Sequence, residues 1–219
     1  MGSSDIPPAS APPWLIPAST LCLSAGVGFW ILCYVLMARR ALQTRATPMP
    51  LLALGLNLSW EVVFAFYVTE MPIELAGFVL WLLGHGSKDG KPWFGREARD
   101  TTELAWWSAG VAQMVLSVSC VAMLLSRGHS GGQSYGIWFC RFAGTLMGLP
   151  VTCGLLWWYW PEPHGFIFHP LSYIIMLPTF ACDFAYPFLL AHVRKTEKVL
   201  PNGMVVAGGG DATGSKKSQ

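Results

Sequence analysis

The amino-acid sequence predicts an all-α protein, a polytopic transmembrane helical bundle of five to seven helices. Three observations support this prediction. Hydrophobic residues make up 53% of the 219 residues, and charged residues make up only 12%, whereas soluble domains average about 25% charged residues. The apolar residues also fall into long stretches, and a helix of about 20 apolar residues is needed to cross a hydrocarbon core about 30 Å thick.

The apolar stretches can be taken in chain order. Those long enough to span a membrane lie at 14–37, 49–69, 104–126, 134–160 and 166–192. A weaker stretch at 71–84 is short for a span, so it predicts either a sixth span or a tilted, re-entrant or interfacial helix. The first stretch lacks a preceding basic segment and is too long for a signal-peptide core, so we expect it to remain as a membrane anchor.

Basic residues indicate the orientation of the chain. Residues 1–13 contain no Lys or Arg, whereas basic residues follow the first and last spans, at Arg39, Arg40, Arg45, Arg194, Lys195 and Lys198. The positive-inside rule then predicts a lumenal N-terminus and a cytoplasmic C-terminus, in a membrane such as the endoplasmic reticulum. Termini on opposite sides require an odd number of spans. Either 71–84 does not cross, or a further crossing is hidden in 134–192, where prolines interrupt the helices.

The domain organisation follows from these patterns. Residues 1–13 are predicted to be disordered, 14–195 to form one transmembrane catalytic domain, and 196–219 to form a disordered basic tail. Gly144 and Gly148 form a GxxxG pair, which predicts close helix packing. The six cysteines all lie in apolar stretches and are predicted to act as small hydrophobic residues. A net charge of +2 does not favour nucleic acid as a partner.

Two ionisable side chains lie in the middle of apolar stretches, Glu61 in 54–68 and Asp183 in 171–190. Placing such a group in a membrane costs at least about 2.5–3.5 kcal/mol on insertion scales, which favours a functional role. The alternative is that these acids make interhelical polar contacts or pair with the distant Arg141. A carboxyl group kept from water can stay protonated. If two such acids faced one cavity, one could protonate the substrate and the other could orient it or accept a proton at the end of the reaction.

Polar and aromatic residues accompany both acids at helical spacing. Asn57 lies one turn before Glu61, and Thr179 lies one turn before Asp183. Aromatic side chains within the spans could stabilise a cationic intermediate by about 2 kcal/mol or more each when desolvated. These aromatic residues are Trp60, Phe64, Trp138 and Tyr186. An acid with an aromatic lining is typical of carbocation chemistry on a lipid-soluble substrate.

Other site chemistry is not favoured. His164 and His169 lack the i, i+4 spacing of a helical metal pair. Gly-rich phosphate loops, HExxH and GxSxG are absent from the sequence. No metal or cofactor is therefore predicted.

Three short stretches combine polar and aromatic residues in a set order. They are Asn57-Leu58-Ser59-Trp60-Glu61, then Arg127-Gly128-His129-Ser130-Gly131-Gly132-Gln133-Ser134 with Ile137-Trp138 and Arg141, and finally Cys182-Asp183-Phe184-Ala185-Tyr186-Pro187. Together they resemble the fungal integral-membrane terpene cyclases of the paxilline and pyripyropene type, which act in meroterpenoid and indole-diterpene secondary metabolism.

The resemblance implies about seven membrane helices and proton-initiated cyclisation of a prenylated substrate, usually one whose terminal alkene has been made an epoxide. Glu61 and Asp183 match the family's two essential acids, and which of them donates the proton is left open. The substrate-binding residues are predicted to be Asn57, Trp60, Phe64, Trp138, Arg141, Thr179 and Tyr186. No Mg²⁺ is implied, since ionisation by acid needs no diphosphate site. The implied partners are a lipophilic prenylated small molecule, membrane lipid, and an upstream prenyltransferase and epoxidase.

Two other classes of function stay open at this stage. A small proton-coupled transporter would use Glu61 and Asp183 as intramembrane proton sites. A structural or assembly factor would tolerate neutral substitutions at both positions. The cyclase hypothesis instead expects both carboxyl groups to converge on one aromatic-lined cavity open to lipid.

Overall fold

The computed structural model describes residues 7–63 and 101–208, and these residues are mostly helical. The helical elements are α1 (Leu15–Thr44), α2 (Leu51–Val63), α3 (Thr101–Arg127), α4 (Tyr135–Leu146), a π-helical turn (Met147–Val151), α5 (Thr152–Tyr159), α6 (Pro161–His164), a 3₁₀ turn (Gly165–Phe168) and α7 (Pro170–Arg194). A short antiparallel hairpin follows, formed by β1 (Lys198–Val199) and β2 (Val205–Val206). The prediction of an all-α transmembrane bundle is confirmed.

Within these ranges, four helical stretches are long and apolar enough to cross a membrane, and α2 is a shorter apolar helix. The four are Leu15–Thr44, Thr102–Arg127, Tyr135–Tyr159 and Pro170–Arg194. With α2 they match the five stretches predicted from hydropathy and fall within the predicted range of five to seven. The weaker stretch at 71–84 lies outside the described residues.

The span from Tyr135 to Tyr159 is interrupted by a π-helical turn around Pro150. Proline lacks a backbone N–H, and its ring clashes with the carbonyl group four residues earlier, so proline distorts an α-helix around it. The wider turn relieves this clash. The hydroxyl of Thr152 donates to the carbonyl oxygen of Met147 at 2.7 Å, which satisfies one backbone group where lipid offers no partner.

Helix α1 approaches α4 and the π-helical turn through glycines. A Cβ atom at Gly26 would lie 2.8 Å from the backbone nitrogen of Gly148 and 3.0 Å from the carbonyl oxygen of Gly144. The absence of side chains therefore brings the two backbones together, as small residues do between membrane helices. Close packing is observed at Gly144, where an added Cβ atom would lie 3.2 Å from the carbonyl oxygen of Gly26. Gly148 contributes its backbone to the contact with Gly26, whereas a Cβ atom added at Gly148 itself would meet no atom within 4 Å.

The two ends of the bundle differ in composition. One end, here called the aromatic end, holds Trp14, Trp106, Trp107, Tyr159, Trp160 and Phe166; the rings of Trp14 and Tyr159 are 5.1 Å apart. The opposite end, called the basic end, holds Arg39, Arg40, Arg45, Arg127, Arg194, Lys195 and Lys198. At the basic end Arg127 donates to the backbone and hydroxyl oxygens of Thr47. Residues 7–14 and 195–208 thus lie at opposite ends, as the expected sidedness of the termini requires.

Residues 198–206 form the hairpin within the range that the sequence predicted to be disordered. Pro201 and Asn202 occupy a turn in which the amide of Gly203 donates to the carbonyl oxygen of Leu200 at 2.9 Å. Gly203 has a φ of 82°, which only glycine adopts without strain. Val205 is buried, and the carboxylate of Glu197 accepts bonds from Ser130. Proline and asparagine at the centre of a turn, with glycine after them, are a turn signature, and it overrides the polar composition of the tail.

The buried apolar residues form two clusters. The larger lies toward the basic end and includes Cys33, Met37, Leu116, Ile137 and Leu190, and the smaller lies at the aromatic end around Trp106, Cys153 and Phe166. All six cysteines are free thiols. Between the two clusters the helices separate and leave a cavity.

Candidate active site

A cavity of about 420 Å³ lies between α1, α2, α3 and α4. Its polar and aromatic lining comes from Trp30, Tyr34, Asn57, Trp60, Glu61, Gln113 and Thr145. The rest of its lining is apolar or glycine, and several of these residues are also exposed on the outer face of the bundle: Leu23, Val27, Ile31 and Leu58. The cavity therefore reaches the surface that faces lipid.

Glu61 lies on the wall of this cavity and bonds to a tyrosine from another helix. It is half-buried, and the hydroxyl of Tyr34 donates to its Oε1 at 3.4 Å. Among the described residues it forms no ion pair within 4.0 Å. Glu61 is thus a carboxyl group next to empty, largely apolar space, which suits a proton donor.

Asp183 lies in a different environment. Its Oδ1 is 2.6 Å from Nη2 of Arg141, and both side chains are 0% exposed. The guanidinium group also lies over the ring of Tyr186, 5.1 Å from the ring centre. A carboxylate and a guanidinium at this distance form a short, charge-assisted hydrogen bond. The alternative that an intramembrane acid pairs with the distant Arg141 therefore applies to Asp183.

The structure does not bring the two carboxyl groups to one cavity. Glu61 lines the cavity, whereas Asp183 is absent from the described lining and is closed off with Arg141. The expectation that both acids converge on one cavity is therefore not met. The reason lies in α4, because Arg141 reaches Asp183 from there, and a buried carboxylate gains more from a cation than from an apolar cavity.

Trp138 also belongs to the surroundings of Asp183. Its indole Nε1 donates to the backbone oxygen of Asp183 at 2.8 Å. This oxygen lacks its usual helical partner because the residue four positions later is Pro187, which has no N–H. The indole thus replaces a missing helix hydrogen bond, and its ring stacks on Phe142 at 5.9 Å.

The remaining predicted substrate-binding residues divide between the two environments. Asn57 and Trp60 line the cavity. The amide of Asn57 donates to the backbone oxygen of Ala53 at 2.8 Å, and the indole of Trp60 donates to the hydroxyl of Ser108 at 3.0 Å. Thr179 and Tyr186 are buried with Asp183, away from the described lining. Phe64 lies outside the described residues.

Several cavity residues were missed by sequence reasoning. Trp30 and Tyr34 come from α1, Gln113 from α3 and Thr145 from α4. A signal for the first two was present in the sequence: Gly26, Trp30 and Tyr34 recur every four residues, which places them on one helix face. Their apolar neighbours made the segment resemble a plain membrane anchor.

A wider, open groove of about 910 Å³ lies at the aromatic end, between the start of α3 and the start of α7. Its walls include Glu103, Trp107, Glu162 and His169. The indole of Trp107 donates to Glu103 at 3.1 Å. These groups lie near helix ends, where polar side chains are common in membrane proteins. The smaller cavity is therefore the stronger candidate, since its acid, Glu61, lies in an apolar stretch of the sequence.

Comparison with known proteins identifies the family. The sequence profile described as Pyr4-like transmembrane terpene cyclases matches residues 3–86 and 91–196. This chain belongs to the Pyr4-like transmembrane terpene cyclases. The matched ranges include both Glu61 and Asp183. The family resemblance predicted from the sequence is thereby confirmed.

Similar curated proteins are fungal cyclases, and the alignments cover most of this Pyr4-like cyclase. It is 31% identical to terpene cyclase ascF of Acremonium egyptiacum, over 94% of this chain and 92% of that protein. It is 27% identical to terpene cyclase macJ of Penicillium terrestre, over 78% and 80%, and 26% identical to the Pyr4-family terpene cyclase mfmH of Annulohypoxylon moriforme, over 84% and 87%. No solved structure matches this chain.

The segment from Arg127 to Ser134, which contributed to the resemblance, is a connecting loop in this Pyr4-like cyclase. The backbone amide of Gly132 donates to the hydroxyl of Thr44 at 2.9 Å, and the side-chain amide of Gln133 donates to the backbone oxygen of Pro48. Ser130 bonds to Glu197. The loop thus ties the α1–α2 connection to the chain after α7 and lies away from the cavity.

Proposed function

We propose that this protein catalyses the acid-initiated, metal-independent cyclisation of a prenylated terpenoid, with Glu61 as the proton donor. The observation that carries the proposal is the position of Glu61, on the apolar helix α2 and on the wall of a cavity lined by Trp30, Tyr34 and Trp60. The cavity volume of about 420 Å³ lies within the range of about 300–1,000 Å³ that is usual for small-molecule sites.

The proposed reaction begins with proton transfer from Glu61 to the oxygen of a terminal epoxide or to an alkene carbon. The epoxide C–O bond breaks, its oxygen becomes a hydroxyl, and the resulting cation is attacked by the π electrons of the next alkene. The last cation loses a proton, so one proton enters and one leaves and the product is an isomer of the substrate. Protonation requires an acid and no diphosphate-binding metal, which is the basis for proposing metal independence.

The walls of the cavity would support the cationic steps. The aromatic side chains of Trp30, Tyr34 and Trp60 line the space, and an aromatic ring face can stabilise a desolvated cation by about 2 kcal/mol or more. The apolar wall excludes water, which would otherwise capture the cation.

Asp183 is proposed to act indirectly. Its ion pair with Arg141 joins α7 to α4, and one turn further along α4 Thr145 lines the cavity. The hydroxyl of Thr145 donates to the backbone oxygen of Arg141 at 2.9 Å. We therefore assign Asp183 to positioning the α4 wall, and we assign the proton donor to Glu61.

The substrate is proposed to be a lipophilic prenylated molecule with an epoxide, made by an upstream prenyltransferase and epoxidase and delivered through the bilayer. The exposed apolar residues Val27, Ile31 and Leu58, which also line the cavity, offer a route from lipid. The protein is further proposed to lie in the endoplasmic reticulum with its basic end in the cytoplasm.

Product formation by microsomes tests the assignment of Glu61. Wild-type protein, Glu61→Gln and the control Glu162→Gln, which alters an exposed glutamate outside the cavity, would be supplied with candidate prenylated epoxides, and products would be identified by mass spectrometry. Glu61→Gln should lower turnover by at least about 10²–10⁴-fold, the usual contribution of general acid catalysis. Glu162→Gln should retain activity.

Three outcomes would overturn the proposal. Wild-type turnover in Glu61→Gln would exclude this residue as the donor. Solute flux that depends on pH in reconstituted vesicles, with no cyclised product, would instead support the transporter. Full function with neutral residues at both Glu61 and Asp183 would support an assembly role.

A further inference from the structure

A tyrosine from the first helix contacts the proposed proton donor. Tyr34 lies on α1, and its hydroxyl donates to Oε1 of Glu61 on α2 at 3.4 Å. Both side chains line the cavity. This hydrogen bond joins two helices through residues that lie 27 positions apart along the chain.

The ring of Tyr34 is held in place by its neighbours. Trp30, one turn earlier on α1, packs against it with ring centres 5.6 Å apart and planes inclined at 42°. The indole of Trp30 occupies the space beside Gly144, where a Cβ atom would lie 2.7 Å from its Cδ1. Gly144 therefore leaves room for Trp30, and Trp30 in turn orients the phenol toward Glu61.

We propose that Tyr34 is a positioning residue that selects the carboxyl oxygen from which Glu61 delivers its proton. The inference rests on the proposed function of Glu61. A neutral carboxylic acid carries its proton on one oxygen and accepts through the other. Because the phenol donates to Oε1, that oxygen is the carbonyl oxygen of the acid. The transferable proton then lies on Oε2.

The same hydrogen bond changes strength during the reaction. When the proton moves from Oε2 to the substrate, Glu61 becomes a carboxylate and Oε1 gains negative charge. A hydrogen bond to an ionised acceptor is roughly twice as strong as one between neutral groups. An interaction that is stronger in the transition state than in the ground state lowers the barrier and raises kcat. Tyr34 thus supports the donor before proton transfer and the conjugate base after it.

Kinetics of Tyr34→Phe in microsomes test this role. The substitution removes the hydroxyl and keeps the ring, so kcat should fall by about tenfold or more while KM stays within about twofold, the pattern of an interaction made mainly in the transition state. Tyr34→Leu removes the ring as well and should also raise KM. The matched control is Tyr173→Phe, since Tyr173 is 46% exposed on α7 and lies outside the described cavity lining.

A solvent isotope effect separates positioning from damage to the fold. If proton transfer becomes slower, the ratio of kcat in H₂O to kcat in D₂O should rise in Tyr34→Phe above the wild-type ratio. A ratio equal to that of the wild type, with reduced product, would show only a smaller amount of active protein and would overturn the inference. A kcat equal to that of Tyr173→Phe would overturn it as well.

The activities of Glu61→Gln and Tyr34→Phe together distinguish failure of the proposed function from failure of this inference. Activity in Glu61→Gln would remove the proposed function and this inference together. An inactive Glu61→Gln with a normal Tyr34→Phe would remove only the role assigned to Tyr34.

Discussion

Glu61 and Asp183 are both carboxyl groups inside apolar helices, and their surroundings give them different roles. Glu61 meets a phenol and a cavity, and Asp183 meets a guanidinium group at 2.6 Å with no exposure. Taking a charge out of water costs several kcal/mol even after relaxation, so a buried carboxylate is stable only when a partner compensates it. Arg141 is that partner, which is why the proposed proton donor is Glu61 and not Asp183.

The first prediction concerns this ion pair. Asp183→Asn leaves the charge of Arg141 buried without compensation, which should lower the free energy of unfolding by about 3–5 kcal/mol. Glu61→Gln should leave stability near that of the wild type, because no charge partner is lost. Thermal unfolding of the detergent-solubilised proteins would compare the two. The double variant Arg141→Met with Asp183→Leu should recover stability, and equal unfolding temperatures for Asp183→Asn and Glu61→Gln would contradict the prediction.

The second prediction concerns the backbone oxygen of Asp183. Trp138→Phe removes the indole donor and should cost about 1–3 kcal/mol of unfolding free energy, the penalty for an unsatisfied buried acceptor. In the background of Pro187→Ala the cost should be smaller, because the new N–H can bond to the same oxygen. A double-mutant cycle measured by unfolding would give this coupling. Additive effects would show that the indole bond does not replace the missing helix bond.

At the scale of the elements, glycines set the distance between α1 and α4. Gly26 lies where any side chain would meet the backbone of Gly148, whereas Gly28 has no atom within 4 Å of an added Cβ. This contact fixes the register of α1 and so brings Trp30 and Tyr34 to the cavity. The GxxxG pair at Gly144 and Gly148 is visible in the sequence, but the sequence does not indicate that Gly26 on α1 packs against it.

The third prediction uses these two glycines as a matched pair. Gly26→Ala should separate the helices and lower the free energy of unfolding by about 1–3 kcal/mol, as overpacking does. Gly28→Ala should be neutral or stabilising by up to about 1 kcal/mol, because alanine favours a helix. Unfolding of both variants in detergent micelles would measure the difference, and an equal effect of both would contradict the close approach.

The fourth prediction concerns the loop at the basic end. Nδ1 of His129 accepts a bond from the amide of Gly131 at 3.1 Å. Burial, together with the nearby Arg127, lowers the pKa of His129, against a smaller opposing effect of Glu197. The unfolded loop therefore binds a proton more readily than the folded loop, so the stability of the loop should be lost as pH falls below the ordinary value of about 6.5.

Hydrogen exchange of the amides in 128–134 would measure this dependence on pH. His129→Asn keeps a side-chain acceptor for the amide of Gly131 and does not titrate. The protection factors, which are exchange rates divided into the intrinsic rate at each pH, should therefore no longer change between pH 7 and pH 5, two values on either side of about 6.5. A dependence that persists in this variant would assign the effect to another group.

At the scale of the whole molecule, two apolar clusters hold the bundle together on either side of the cavity. The larger cluster lies toward the basic end and the smaller one at the aromatic end. The cavity between them takes walls from four helices and reaches the outer apolar surface at Val27 and Ile31. Under the proposed function, a lipophilic substrate would reach Glu61 from the bilayer without passing through water.

The fifth prediction is the orientation of the bundle. The arginines and lysines of the basic end should face the cytoplasm. In intact microsomes, protease added outside should therefore remove a tag at the C-terminus and spare a tag at the N-terminus. Detergent should expose both tags. Loss of the N-terminal tag alone from intact vesicles would reverse the assignment.

Features formed by residues close together in the sequence were easier to predict than features formed by residues far apart in the sequence. The spans and the family resemblance follow from neighbouring residues in the sequence. The hairpin at 198–206 was missed because composition was weighed above the turn residues Pro201 and Asn202. The role of Tyr34 was not predicted, because a single tyrosine in an apolar span gives no sequence signal for the residue that it contacts in the fold.

The sequence by itself determined the membrane bundle, the family and the two intramembrane acids, because the cost of burying a charge and the gain from burying apolar groups are properties of short segments. Only the tertiary structure decided which acid faces the cavity. The partners of Glu61 and Asp183 lie 27 and 42 positions away on other helices. Whether these residues come into contact depends on how the helices pack. Close glycine contacts between helices determine that packing, and the local sequence around each acid does not.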